Sequence, residues 1–482
     1  MNKRLGLSAW FILLCVFLPN HSIAASVVVK EVTSYQQGVD EHMPWQRKPL
    51  RKKSFLAVDI GNGQYLTSTQ TLQQHRFIEL LSPDKDNERL QVIYKDDRLQ
   101  LAILGIEKAR SFTKLPFLLE QKNIVDKQAR LIYSWRQKKQ FVKKLVQEVQ
   151  PGSSLGAAYA IPLYRIDSGT KRISAGAALV KERKLAGLVA RITDKTALVV
   201  PGAIIASFLQ DFTKQSSKRQ GYSKLGVAYR PLVDRYLRQH LGLESLSKGV
   251  WVDHIQKSSN FYDSVKSGDV LLKVGDFDID GRGYYQDPDF GRQRLASLAW
   301  RLPVDKELVL SIWRNGKPLK IKAKLSEYKN RADVLPLLNG EDRPFFVAGG
   351  VVFSQLTKNY LFQWGKDWRK KAPIELVHAT QEQEQTQVEK IFLSHVFSHE
   401  QTRGYGRYKY ALVYTLNEKP VVSFESFRRD LKHTLESGEA AVLKLGEDRK
   451  MLVLNQSSYN DMNKELQVKF GLDKESFINF EK

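Results

Sequence analysis

The sequence predicts a mainly β protein of three units, a many-stranded barrel or sandwich followed by two smaller α+β domains. Three observations carry this. Short alternating or apolar runs broken by turn residues crowd the stretch 54–212. A helical pattern at 201–212 closes that stretch and gives way to a polar segment. Beyond it, two regions share a loose plan of strands and helix, and 482 residues leave room for roughly three domains of ordinary size.

At the N-terminus, Lys3 and Arg4 precede an apolar run from Leu5 to Leu18, then Pro19 and small residues ending Ser22-Ile23-Ala24. This is the pattern of a secretory signal over 1–24, with cleavage after Ala24 or, as second choice, after Ala25. The run is shorter than the roughly 20 residues a membrane helix needs, and no later segment is long and uncharged enough. A soluble mature chain is expected, periplasmic or secreted. Cys15, the only cysteine, lies inside the segment to be removed, so neither a disulfide framework nor a thiolate metal site is expected in the mature protein. Residues 25–53 read as a basic N-terminal segment.

Strand candidates in the first unit, 54–220, are Phe55 to Asp59, Tyr65 to Thr67, Arg76 to Leu80, Leu90 to Tyr94, Leu99 to Ile106, Ala129 to Trp135, Ala177 to Val180 and Leu185 to Ile192. Pro201 then opens a helix whose Ile204, Ile205, Phe208 and Leu209 recur at helical spacing, and the polar stretch Thr213 to Gln220 marks the boundary.

The second unit, 221–330, has strand candidates at Leu225 to Tyr229, Gly249 to Ile255, Asp269 to Val274, Glu307 to Trp313 and Leu319 to Leu325. Asn315-Gly316 between the last two is a two-residue hairpin signal. Helices are expected at Pro231 to Leu241 and Arg292 to Trp300, the latter with an apolar stripe of Leu295, Leu298 and Ala299. The third unit, 340–482, repeats the plan loosely. Its strands are expected at Phe346 to Phe353, Lys390 to Val396, Tyr408 to Leu416, Ala440 to Leu445 and Met451 to Leu454, and its helix from Phe424 to Leu435.

The formal net charge is +24. Basic runs at Arg47 to Lys53 and Arg136 to Lys144 lack any helix, finger or aromatic ladder that would organise them for nucleic acid. They read as a solvated basic surface with attraction for an anionic envelope surface or acidic proteins. With no H-E-x-x-H, cysteine pair or phosphate-cradling glycine loop, no metal and no cofactor is expected.

Leu66-Thr67-Ser68-Thr69-Gln70-Thr71-Leu72 resembles the L-T-N-A-H-C-V segment of the HtrA/Deg serine proteases, in which His is the general base. Thirty residues on, Gln100-Leu101-Ala102-Ile103-Leu104 is similar to the D-I-A-L-L strand that supplies the orienting Asp. Ile173-Ser174-Ala175-Gly176-Ala177 falls where the family carries N-S-G-G-P around its nucleophile, and Leu198-Val199-Val200-Pro201 resembles the Y-V-I-P lead into the final helix. The layout resembles the plant-type Deg branch, with a protease domain, a PDZ domain and a second, divergent PDZ. The resemblance implies a chymotrypsin-like double β-barrel followed by two PDZ-like domains, and a homo-oligomer.

Triad chemistry needs a base that takes the serine proton near neutral pH and a carboxylate that orients it. The resemblance puts Gln70 at the His position and Gln100 at the Asp position, and neither titrates; Ser174 remains at the nucleophile position. Arg172-Ile173 stands where the family's Gly-Asn aims backbone N–H groups at the developing charge, and a β-branched residue resists the dihedrals glycine reaches. His75 is expected in a loop pointing away from the cleft, with Asp96 and Asp97 in a turn. Lys171 is too near Ser174 in sequence to face it.

PDZ domains bind a C-terminal or extended peptide by strand addition, with loop N–H groups holding the carboxylate. Leu225-Gly226-Val227, preceded by Tyr222, Ser223 and Lys224, fits the family's apolar-Gly-apolar loop, and Leu295, Leu298 and Ala299 become candidate pocket residues; equally, Leu225 and Val227 pack the domain core. Ala348-Gly349-Gly350-Val351-Val352 occupies the matching place in the third unit, where two glycines in a strand suggest a bulge or the close approach of another backbone. The resulting expectation is an exported, catalytically degenerate HtrA/Deg relative that binds polypeptide segments or C-termini as a scaffold or regulator in envelope quality control. The alternative is a divergent serine endopeptidase using Ser174.

Overall fold

The computed structural model describes residues 26–82, 86–106, 115–135, 138–152, 161–169, 173–193, 195–213, 225–243, 247–256, 259–302, 307–325, 335–338, 343–365, 367–380, 388–446, 450–455 and 459–478. The signal sequence, the polar stretch after Thr213, Tyr222 to Lys224, Lys171 and Arg172 lie outside the described residues. No helix among the described residues is long and apolar enough to cross a membrane.

Two closed six-stranded barrels of the chymotrypsin type come first. The first comprises β1 (Val29–Gln36), β2 (Arg51–Gly61), β3 (Gln64–Ser68), β4 (His75–Leu80), β5 (Glu88–Asp96) and β6 (Leu101–Gly105), closing in the order β1-β2-β3-β6-β5-β4. The second comprises β7 (Gln128–Trp135), β8 (Lys138–Gly152), β9 (Ile161–Asp167), β10 (Ala178–Lys181), β11 (Lys184–Ile192) and β12 (Thr196–Pro201), followed by α1 (Gly202–Thr213).

Because side chains alternate along a strand, Phe55 and Ala57 of β2 fill the first barrel, while Leu56, Val58 and Ile60 join Leu101 and Ile103 of β6 in a core continuous with the second barrel. Burial on both faces makes these strands read as unbroken apolar runs. It also fixes them as the wall of the seam between barrels.

The basic segment 25–53 is not separate from the first barrel, because β1 and the start of β2 form a register from Val29↔Val58 to Gln36↔Arg51. β1 was missed because its Lys30, Glu31 and Gln36 dilute the apolar signal, although Val29 and Val32 are buried. Between β1 and β2 a strap folds onto the third unit. There Glu41 and Arg343 form a buried two-pronged ion pair, both bonds 2.6 Å, and Trp45 packs against Phe345 and Phe397.

The second unit contains β13 (Val227–Arg230), α2 (Arg235–His240), β14 (Val250–Ile255), β15 (Val270–Val274), β16 (Phe277–Asp278), β17 (Tyr284–Asp287), β18 (Gly291–Arg294), β19 (Glu307–Arg314) and β20 (Lys317–Lys324), the main sheet ordered β13-β14-β15-β19-β20. The Asn315-Gly316 turn has φ of 51° and 77°, as a tight hairpin requires. The expected helix Arg292 to Trp300 does not form as an α-helix. Arg292 to Arg294 pair with Tyr284 to Gln286 as β18, and Leu295–Arg301 is a 3-10 helix, whose period of three suits the Leu295/Leu298 spacing.

The third unit has β21 (Phe345–Ala348), β22 (Val351–Gln355), α3 (Lys358–Phe362), α4 (Trp368–Lys371), α5 (Ile374–His378), β23 (Ile391–Val396), β24 (Val413–Leu416), β25 (Lys419–Pro420), α6 (Phe424–Glu436), β26 (Ala441–Leu445), β27 (Lys450–Leu454) and α7 (Tyr459–Phe470). The run Phe346 to Phe353 is two strands, not one bulged strand. Gly349 and Gly350, at φ of 55° and 71°, are the two-residue turn that folds Ala348 opposite Val351. Likewise, only Val413–Leu416 of the expected strand Tyr408 to Leu416 is extended.

Candidate active site

The seam between the barrels is built by small polar residues. Ser68, at the end of β3, accepts a hydrogen bond from the Gln70 N–H at 3.2 Å, capping the 3-10 turn Thr69–Leu72, and donates to the Ala190 carbonyl of β11 at 3.0 Å. One hydroxyl therefore holds the Gln70 turn onto the second barrel.

Gln100 reaches the same place from the β5–β6 turn. The Asp96 carboxylate accepts the Arg98 and Leu99 N–H groups, both at 2.9 Å, an Asx-type turn that delivers Gln100. Its carbonyl accepts the Thr69 N–H at 3.2 Å, joining the two loops. Gln100 takes a left-handed φ of 60° and is only 5% exposed, and its side-chain amide nitrogen is buried with no hydrogen-bond partner among the described residues. Left-handed backbone and an unpaired buried donor both cost stability in a residue that is not glycine.

Gln70 and Gln100 line one open cavity of about 470 Å³ together with His75 and Arg191. His75 lines this cavity and is not in the loop expected of it. It opens β4, with its ring Nδ1 2.7 Å from the Leu72 carbonyl. Asp96 and Asp97 lie in the turn, and Asp97 is 3.5 Å from Lys95.

Ser174 comes from the second barrel. Behind it Gly176, at φ 87°, donates its N–H to the Val189 carbonyl at 2.8 Å and lies against β2 and β3: a Cβ there would stand 2.3 Å from the Leu56 carbonyl oxygen and 2.9 Å from the Thr67 hydroxyl. The nucleophile-position turn is thereby pressed into the seam. The Ser174 hydroxyl is buried without a hydrogen-bond partner among the described residues, and Ser174 is not among the residues lining the Gln70–Gln100 cavity. The two amides offer hydrogen bonds but no titrating proton.

In the second unit, the Leu225-Gly226-Val227 loop leads into β13, the edge strand of its sheet. The Ser259 hydroxyl donates to the Leu225 carbonyl at 2.6 Å and the Gln256 N–H to the Gly226 carbonyl at 2.8 Å; a Cβ on Gly226, at φ 66°, would lie 2.6 Å from the Ser259 Cβ. Leu295 and Leu298 are buried rather than exposed. At 3% and 0% exposure they belong to the core of the unit, against which Leu225 and Val227 pack. Nothing is described of the Ala299 side chain. The element carrying them is docked on the second barrel, where Phe290 meets Tyr164 at 6.2 Å between ring centroids, and burial pushes the Tyr164 hydroxyl up to about 12.

Sequence reasoning missed Arg191, Arg76, Arg89 and Lys95 as cavity residues. They come from β11, β4 and β5, and no local spacing relates them. Ser68 did carry a signal, a cap residue immediately before the Gln70 turn.

Residues 336–475 match the PDZ domain family. Among curated proteins, the chain is similar to the mitochondrial Do-like 11 protein of Arabidopsis thaliana, at 25% identity over 41% of this chain, and to its mitochondrial protease Do-like 4, at 20% over 70%. It spans 34% of the length of the first relative and 66% of the second. Similar solved structures include the HtrA-type protease AlgW with a tripeptide, at 16% identity and a TM-score of 0.48, covering 63% of this chain and 94% of that one. Another is a serine endoprotease from Yersinia pestis, at 14% identity and a TM-score of 0.42, covering 64% of this chain and 96% of that one. The chain thus joins a trypsin-like double barrel to a PDZ domain and has its curated similarity among Do-like proteases.

Proposed function

We propose that this protein is an exported HtrA/Deg-like protein that binds polypeptide segments without hydrolysing them, as a scaffold or regulator in the cell envelope. The observation that carries the reading is the Ser174 hydroxyl, buried and without a hydrogen-bond partner among the described residues. A serine is a weak nucleophile until a base takes its proton. The residues at the base and orienter positions, Gln70 and Gln100, are neutral amides that share a cavity with each other and not with Ser174. Retained polypeptide binding is supported by the open edge of β13 in the second unit and by the PDZ match of the third.

The test uses the purified full chain with a fluorophosphonate probe and with unfolded casein. The expected result is no Ser174 labelling and no cleavage, with casein nevertheless retained in a pull-down. Stoichiometric labelling that disappears in Ser174→Ala would overturn the proposal.

One observation favours a second reading, a divergent serine endopeptidase. His75 lines the cavity beside Gln70 and Gln100, and its Nδ1 is held by a carbonyl, the contact that orients a general base. Labelling and cleavage lost in both Ser174→Ala and His75→Ala would establish that alternative.

A further inference from the structure

We infer that the cavity shared by Gln70 and Gln100 receives a carboxylate, presented as an acidic side chain of the bound polypeptide. This rests on the polypeptide-binding reading and names what that site selects.

The lining is lopsided in charge. Arg76 of β4, Arg89 and Lys95 of β5 and Arg191 of β11 face the cavity, against one carboxylate, Asp97, which lies 3.5 Å from Lys95. Guanidinium groups pair with carboxylates through parallel N–H bonds, and a concave wall concentrates their field.

The second observation is independent of charge. Gln100, a residue only 5% exposed, lines this cavity, and its buried side-chain amide nitrogen has no acceptor among the described residues. An unmet buried donor is costly, and the left-handed backbone that holds it there adds to the cost. An acceptor oxygen that reaches the amide meets the donor, while the backbone cost stays as it is. The about 470 Å³ of space suits one acidic side chain with its flanking backbone, and the cavity opens at the surface, where a chain can pass.

A basic protein attracts acidic peptides without any site, so the experiment must separate the cavity from the overall charge. Binding of a fluorescein-labelled unstructured peptide rich in Glu, and of its Gln counterpart of equal length, is measured on the full chain by anisotropy at fixed ionic strength. Inorganic phosphate and citrate are added alone as competitors. The same series is run on Gln100→Glu, which keeps shape and reverses polarity, on Arg89→Gln, and on Lys143→Gln in the exposed part of β8 as a surface-charge control.

The expected result is a preference for the Glu peptide that falls roughly tenfold or more in Gln100→Glu and Arg89→Gln, the scale of a charge-assisted hydrogen bond, and stays unchanged in Lys143→Gln. Thermal transitions are compared so that a misfolded variant is replaced by Lys95→Gln. Casein retained with no Glu preference, or a preference that survives both cavity variants, overturns the inference and leaves the polypeptide-binding reading standing. Phosphate or citrate binding lost in the cavity variants while no peptide preference exists makes it a small-anion site and also overturns the inference. If neither peptide nor casein binds, the polypeptide-binding reading itself falls.

Discussion

Replacing Gly176 with Ala tests the seam directly. At φ 87° a Cβ costs about 1–2 kcal/mol of backbone strain. At this position it would also stand 2.3 Å from the Leu56 carbonyl oxygen, an atom of a doubly buried strand that cannot swing aside. Forcing an extra carbon into a packed site adds about 1–3 kcal/mol, so the expected total is about 2–5 kcal/mol. Gly404→Ala is the internal control: its φ is 88°, and nothing lies within 4 Å of its added carbon. It should lose only the backbone part. With urea slopes of about 1–3 kcal/mol/M, the Gly176 variant should unfold about 0.7–5 M earlier than wild type, roughly 2 M at the middle of both ranges, and below the Gly404 variant. The measurement is urea unfolding of the full chain followed by circular dichroism. Equal midpoints for the two variants would refute the close approach of the Ser174 turn to β2.

Three further outcomes are expected. Arg301→Ala strands Asp287, whose side chain is fully buried and paired with Arg301 at 2.6 and 2.7 Å, so stability of the second unit should fall by about 3–5 kcal/mol in urea titrations. Arg343→Ala does the same to Glu41, whose side chain is 5% exposed, and should release the strap, read as new proteolytic cleavage between residues 37 and 50. Burial lowers the pKa of His42, which faces Asp40, Glu41 and Lys409, and of His395, which faces Lys409, both from 6.5. The unfolded chain then binds more protons between the two values, so stability is present above pH 6.5 and lost as pH falls through the folded values. The thermal transition should drop more steeply between pH 7.5 and 5 in wild type than in the double variant His42→Phe, His395→Phe, and identical slopes would count against the buried histidines as the cause.

The strongest local patterns carried most of the fold. Doubly apolar runs such as Phe55 to Val58 and Leu101 to Leu104 are strands buried on both faces, and Asn315-Gly316 forms the tight turn its residues favour. Weak patterns misled. Helices α3, α4, α5 and α7 went unread, three of them being five residues or fewer. Gly349-Gly350 forms a tight turn where a bulge or close backbone approach is expected, although a glycine pair between apolar runs is itself a hairpin signal.

By itself, the sequence determined which chemistry is offered at the seam: amides at 70 and 100, a hydroxyl at 174, and a small residue at 176 that alone tolerates close approach. These are properties of side chains, and the resemblance to the HtrA/Deg segments is what assigned their places. The tertiary structure alone decided which of them meet. It put Gln70 and Gln100 in one cavity, left Ser174 out of its lining, turned His75 toward it and gathered Arg76, Arg89, Lys95 and Arg191 around it. The physical reason is that a barrel closes through pairings between strands distant in sequence, so the neighbours of a residue are set by register, which no local pattern encodes.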